Sequence, residues 1–183
     1  MHRWAVITLS LALAVVDGGH PSVAQTASLT SDVKRDYAVV RDYFIRAAEK
    51  MPEESYGFKP SPDVRTFAQQ VAHVADDQYN LCGPARGETR KAAYTDIEDR
   101  LSKKADLVPA LKAAFAYCDG AFDALTDSSG AEPAAGGKGR NKFSMLNWNL
   151  WHTWEHYGNV VAYLRMKGLV PPSSEKMPVM KMP

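Results

Sequence analysis

Six apolar side chains near the start of the chain, Val33, Tyr37, Val40, Phe44, Ala47 and Met51, recur at steps of four and three, the spacing that lays one stripe along an α-helix. The same period returns three times. Phe67, Val71 and Val74 carry it in a second stretch, Leu111, Phe115, Cys118, Phe122 and Leu125 in a third, and Leu146, Leu150, Tyr157, Val161 and Leu164 in a fourth. Helices striped in this way bury their apolar faces against one another, so the expected fold class is all-α, a four-helix bundle. A length of 183 residues suits one domain with a sizeable core.

Local signals set the expected boundaries. Helix one follows a cap at Thr30 or Ser31 and is stopped by Pro52. Helix two has a start signal in Ser61 as cap, Pro62 in the first helical position and Asp63 near the positive end, and it ends near residues 82–84. The polar stretch 83–105 includes Thr95-Asp96-Ile97-Glu98, a capping-box pattern that predicts a short extra helix inside this connection. A connection of that length lets helices two and three lie parallel. Helix three follows Asp106. Residues 126–141, rich in Gly, Ala and Ser, read as a mobile loop, and Gly136-Gly137-Lys138-Gly139 within it lacks the pattern of a phosphate loop. Helix four is expected to start at Ser144, with Phe143 and Trp148 as a hydrophobic staple, and to run to Met166 or Lys167 before Gly168 and the prolines 171–172.

Residues 1–24 read as a secretory signal: a basic start at His2 and Arg3, an apolar stretch over 4–16, and small residues at Ser22 and Ala24, after which cleavage is expected. The domain then spans 25–172, and 173–183 form a disordered tail. Neither the leader nor any later segment approaches the roughly 20 apolar residues of a membrane-spanning helix, so the mature protein is expected to be exported, periplasmic or secreted, without stable membrane insertion. The 22 basic and 21 acidic side chains include Arg3 and Asp17 of the leader, so the net charge is +1 with or without it. The basic residues are scattered among acids, which argues against nucleic acid as a partner. A small-molecule substrate and a second copy of the chain stay open. Export permits a Cys82 to Cys118 disulfide, but two cysteines are no framework, and two packed free thiols are the expected reading.

Of five histidines, three lie beyond the leader: His73, and the pair His152 and His156. Residues four apart on a helix share a face, so both rings of the pair can reach one divalent ion. His73 has to come from elsewhere in the fold. On a helical wheel the pair lies off the centre of its stripe, beside Met145, Asn149 and Tyr163, and His73 lies beside Gln70 and Asp77. The offset predicts a polar cleft at one side of the bundle, although a plain surface position for His73 fits the wheel equally well. Asp77 and Asn149 are candidates to hold or supplement the imidazoles, with a solvated role as the alternative for each. The aromatic set Trp148, Trp151, Trp154 and Tyr157 is expected to pack the bundle.

Val71-Ala72-His73-Val74-Ala75-Asp76 and His152-Thr153-Trp154-Glu155-His156-Tyr157-Gly158-Asn159, leading into Tyr163-Leu164-Arg165-Met166-Lys167-Gly168 and Pro171-Pro172, resemble the DinB family of metal-dependent enzymes, over about residues 33–172. The resemblance implies an up, down, down, up four-helix bundle in which His73, His152 and His156 bind a divalent metal, zinc or nickel, with positions left open for water or substrate. A metal so held suits a hydrolase or transferase, and the alternative reading is a non-catalytic metal- or partner-binding bundle; many family members have no assigned activity. Members with one include transferases and isomerases that use thiols such as bacillithiol or mycothiol, and an exported location departs from that pattern because such thiols are cytosolic. The catalytic residues and the substrate are not specified. A competing motif overlaps the pair: His152-Thr153-Trp154-Glu155-His156 fits H-x-x-E-H, a zinc-protease pattern with Glu155 as general base and a downstream acid for which Glu175 is the candidate.

Overall fold

The computed structural model describes residues 28–88 and 96–175. The leader, Thr95 and residues 176–183, which include most of the expected tail, lie outside the described residues. The long helices are α1 (Leu29–Lys50), α2 (Phe67–Ala85), α4 (Lys104–Ala124) and α6 (Lys142–Met166), with the short helices α3 (Ile97–Arg100) and α5 (Asp127–Gly130) between them. Both α1 and α2 pack against both α4 and α6, which makes α1 and α2 diagonal partners. Among the described residues no helix is long and apolar enough to cross a membrane.

Side-chain contacts give the directions. Lys104 at the start of α4 reaches the Glu49 and Met51 carbonyls at the end of α1, and Lys34 near the start of α1 reaches the Asp123 carbonyl at the end of α4, so these two run antiparallel. Cys82 and Cys118 join the C-terminal halves of α2 and α4, which run parallel. Arg65 meets Tyr163 while Gln78 meets Asn149, so α6 runs antiparallel to α2. The arrangement is up, down, down, up, and the expected short helix does lie in the α2 to α4 connection.

The stripes form the core. Tyr37, Val40, Phe44, Ala47 and Met51 of the first are buried, as are Leu111, Phe115, Cys118, Phe122 and Leu125 of the third. Tyr157 reaches from α6 to stack on Tyr43 at 5.6 Å, and Tyr37 stacks on Phe122 at 3.8 Å. Trp148 is partly buried. Trp151, expected to pack the bundle, is instead 51% exposed on a face of α6 away from its stripe, whereas Trp154, 36% exposed, borders the stripe and meets Tyr43 of α1 edge-on at 6.1 Å.

Several boundaries differ from the sequence expectation. Helix α2 starts at Phe67 rather than at Pro62: the Phe67 and Ala68 N–H groups donate to the Phe58 and Tyr56 carbonyls at 2.8 Å each, and Thr66, in a capping box with Gln69, takes the cap position expected of Ser61. Residues 61–64 form a turn instead. Helix α1 begins two or three residues before its expected start, with Ser28 at the cap position in place of Thr30 or Ser31. Helix α6 is capped by Asn141, whose side chain accepts from the Ser144 N–H at 2.7 Å, so Phe143 lies inside the helix rather than before its cap where a staple needs it, and Trp148 packs under the Arg140 guanidinium. Its end is as expected, with Gly168 at φ +71° turning the chain and Leu169 N–H returning to the Leu164 carbonyl.

The expected loop 126–141 is built rather than loose. Thr126 and Ser129 cap α5 reciprocally, Lys142 N–H donates to the Glu132 carbonyl, and Ala135 N–H donates to the Pro84 carbonyl at the end of α2. Ordered chain also continues past Pro172 into a 3-10 turn, Pro172–Ser174, where Ser173 N–H donates to the Tyr157 hydroxyl. Glu175 then pairs with Arg46 and Lys50 on α1.

The largest correction concerns the cysteines. Cys82 and Cys118 are a buried disulfide, not two free thiols, with Cα atoms 5.3 Å apart across the parallel α2 and α4. Closing a 36-residue separation stabilises the fold by about 4 kcal/mol in the chain-entropy picture.

Candidate metal centre

The polar side of the bundle lies between α2 and α6. Three positions of α2 meet four of α6: Gln70 meets His156, His73 faces His152 and His156, and Gln78 meets Asn149 and Thr153. This seam follows from antiparallel packing, which sets successive turns of one helix against successive turns of the other in reverse order.

His73, His152 and His156 converge there. One ring nitrogen from each can be chosen so that all three lie within 4.8 Å of one another. His156 is buried and the other two are half-buried. The Nε2 atoms of His152 and His156 are 3.2 Å apart, as the four-residue spacing on one helix face predicts. The ring of His73 stands 4.6 Å from that of His156 and 5.5 Å from that of His152, centroid to centroid. The surface alternative for His73 is set aside by these distances.

The outer nitrogens are held by acceptors. Nδ1 of His156 lies 2.7 Å from Gln70 Oε1, which as an amide oxygen only accepts, so Nδ1 carries the proton and Nε2 keeps its lone pair. Burial is the main reason the His156 pKa falls to about 3, and the neighbouring His152 and His73 push it the same way. His152 is also lowered, first by burial and then by His73, against the opposing pull of Asp77. Both effects keep imidazole neutral, the form that binds metal.

Asp77, singled out from the sequence, is part of this cluster. Its Oδ2 lies 3.0 Å from His73 Nε2 and 3.5 Å from His152 Nδ1, and its Oδ1 accepts from Asn80 at 3.3 Å. Asn149 sits elsewhere. It is fully buried one step deeper along the seam, where its Nδ2 donates to Gln78 Oε1 at 3.0 Å, and Gln78 Nε2 in turn meets Thr153 Oγ1 at 3.3 Å. This amide pair fastens the two helices.

Two contacts went unread in the sequence. Gln70 was legible in principle, because it precedes His73 by three residues on the same helix face. Glu98 was not. Its side chain comes from α3, where its Oε2 lies 3.2 Å from His73 Nδ1 and its Oε1 accepts from Arg65 Nε at 2.8 Å. The capping-box reading gave Glu98 a different role, yet the first N–H groups of α3 are satisfied by buried Asp76 on α2, at 3.1 Å from Ile97 and 3.0 Å from Glu98.

Beside His156 a cleft of about 490 Å³ opens between α6 and the segment before α2, lined by Arg65, Gln70, Glu155, His156, Asn159 and Tyr163 among others. Three converging ring nitrogens, with His156 also lining a polar cleft, can hold a cation and leave one side of it accessible.

Residues 36–160 match the family model described as the DinB superfamily. The chain belongs to the DinB superfamily. Among solved structures this DinB-superfamily chain is similar to the mycothiol-dependent maleylpyruvate isomerase, at 16% identity and a TM-score of 0.58, over 72% of this chain and 60% of that one. It is similar to a mutant of the same isomerase at 15% identity with the same TM-score and coverage. Likeness at such identity is one of fold, and the chain covers 60% of the isomerase's length. No curated protein matches the chain.

Proposed function

We propose that this DinB-superfamily protein is an exported metal-dependent enzyme that holds zinc or nickel through His73, His152 and His156 and acts on a small molecule by hydrolysis or group transfer. The convergence of three ring nitrogens within 4.8 Å carries the reading. The donor set fits such an ion: His156 is neutral with Nε2 free, His152 offers Nε2 beside it, and acceptors stand at the outer nitrogens to take the protons that ligation displaces there.

Three nitrogen donors match both zinc and nickel and leave room for a non-protein ligand. Such an ion, when bound, lowers the pKa of a water or polarises a bound group. The chain's own contribution is to fix the imidazoles, keep them neutral and admit substrate through the cleft, where Arg65 and Asn159 offer polar handles. That cleft favours an enzyme over a bundle that only sequesters metal.

Export is supported by the leader-like residues 1–24 and by the Cys82–Cys118 disulfide, a link that reducing compartments do not maintain. The isomerase to which the fold is similar is named for a thiol cosubstrate. Outside the cytosol water is the more available acceptor, so we favour hydrolysis. The H-x-x-E-H protease reading loses its downstream acid, since Glu175 is engaged by Arg46 and Lys50 on α1.

Elemental analysis of protein purified without a histidine tag tests the reading. Zinc or nickel at about one ion per chain, lost in His156→Ala with helicity retained, is the expected result. Metal-free protein that takes up neither ion overturns it, and metal content without turnover of any small ester, amide or transfer substrate favours a non-catalytic bundle.

A further inference from the structure

Glu98 joins three segments of the chain at the edge of the histidine cluster. Its two carboxylate oxygens face different partners, Oε1 taking Arg65 Nε at 2.8 Å and Oε2 facing His73 Nδ1 at 3.2 Å. The backbone that carries it is fixed as well. Asp76, three residues beyond His73 on α2 and buried, accepts the N–H groups of Ile97 and Glu98, so α3 is tied to the same turn of α2 that presents the imidazole. The ring of contacts runs from His73 along α2 to Asp76, across to α3, and back through Glu98 to His73.

We propose that Glu98 is a positioning residue of the metal centre: it holds His73 by Nδ1, so that Nε2 is the nitrogen offered to the ion, and it makes the connection between α2 and α4 part of the site. This rests on the metal reading above. A neutral imidazole carries one proton, and a carboxylate at Nδ1 keeps it there, leaving the lone pair on Nε2. The pattern matches the other two rings, where Gln70 faces His156 Nδ1 and Asp77 faces His152 Nδ1. Asp77 also lies 3.0 Å from His73 Nε2, but its second neighbour, His152 Nδ1, gives it a place to remain when Nε2 turns to the ion. Arg65 fixes the other end of the Glu98 carboxylate.

Zinc affinity, read by chelator competition in the metal-stripped protein and in its Glu98→Gln, Glu98→Ala and Arg65→Ala variants, provides the test. Loss of an outer partner to a metal-binding histidine weakens affinity about 10- to 100-fold, so Glu98→Ala should fall in that range. Glu98→Gln keeps an oxygen acceptor of nearly the same shape and should lose less, with Arg65→Ala losing least. Long-range proton–nitrogen spectra of the zinc-loaded parent should show His73 metal-bound through Nε2 and protonated at Nδ1. A parent that binds zinc while both Glu98 variants bind it within about twofold of the parent overturns the role of Glu98. So does ligation through Nδ1. A parent that binds no zinc overturns the metal reading itself, and if Glu98→Ala fails to fold, the near-isosteric Glu98→Gln decides.

Discussion

Helix α2 has two different neighbours. Against α4, with which it runs parallel, it is fastened by the Cys82–Cys118 disulfide and the Tyr79–Tyr117 ring pair at 4.8 Å. Against α6, which runs antiparallel, it presents a row of two amides and an imidazole, Gln70, His73 and Gln78. The first contact secures the helix covalently; the second gathers groups that a core would otherwise exclude. The difference teaches that one helix can carry the fold on one side and the chemistry on the other, because a polar seam is tolerable where an opposite face is held independently.

If that division holds, substitutions on the two sides should have separable effects. Removing the disulfide with Cys82→Ala and Cys118→Ala should lower unfolding free energy by about 4 kcal/mol in denaturant titration while zinc content under native conditions stays unchanged. Loss of metal together with the disulfide would break the comparison. Gln78→Ala leaves the buried Asn149 amide without its acceptor and should cost about 1–3 kcal/mol, a measure of how much the polar seam adds to stability. Thr66→Ala removes the capping box at the start of α2 and should cost about 1 kcal/mol by the same titration. His73→Ala, at the half-buried rim of the seam, should change stability least, by about 0.5 kcal/mol, and yet abolish stoichiometric metal; unfolding in this variant would make the imidazole structural.

Acid offers one more probe of the seam. His156 is depressed from 6.5 to about 3 in the folded chain, so between these values the unfolded state binds a proton that the native state does not. Stability of the metal-stripped protein should therefore be complete above pH 6.5 and fall as the pH drops toward 3. His156→Gln should flatten that slope in midpoints measured across the range, and an unchanged slope would assign the acid sensitivity elsewhere.

Where the sequence and the structure agree, the signal is local. The stripe from Val33 to Met51 and the end of α6 at Gly168 follow from helical period and from the conformational freedom of one glycine. Where they part, a distant partner decided between competing local signals. Ser61 and Thr66 both suit a cap, and the Tyr56 and Phe58 carbonyls, by taking the first N–H groups of α2, selected Thr66. The glycine-rich stretch 126–141 looked loose because its order depends on bonds such as Ala135 N–H to Pro84, which no neighbour in sequence announces.

By itself the sequence determined the all-helical character, the four stripes, the shared face of His152 and His156 and the family to which the chain belongs, because each is written in residue types at fixed short spacings. Only the tertiary structure decided that His73 stands beside that pair, that Asp77 faces two imidazoles while Asn149 turns into the seam, that Glu98 reaches the site from another helix, and that the cysteines join. Helix geometry fixes what lies three or four residues away; which surfaces of separate helices meet depends on how the whole set of stripes is buried at once.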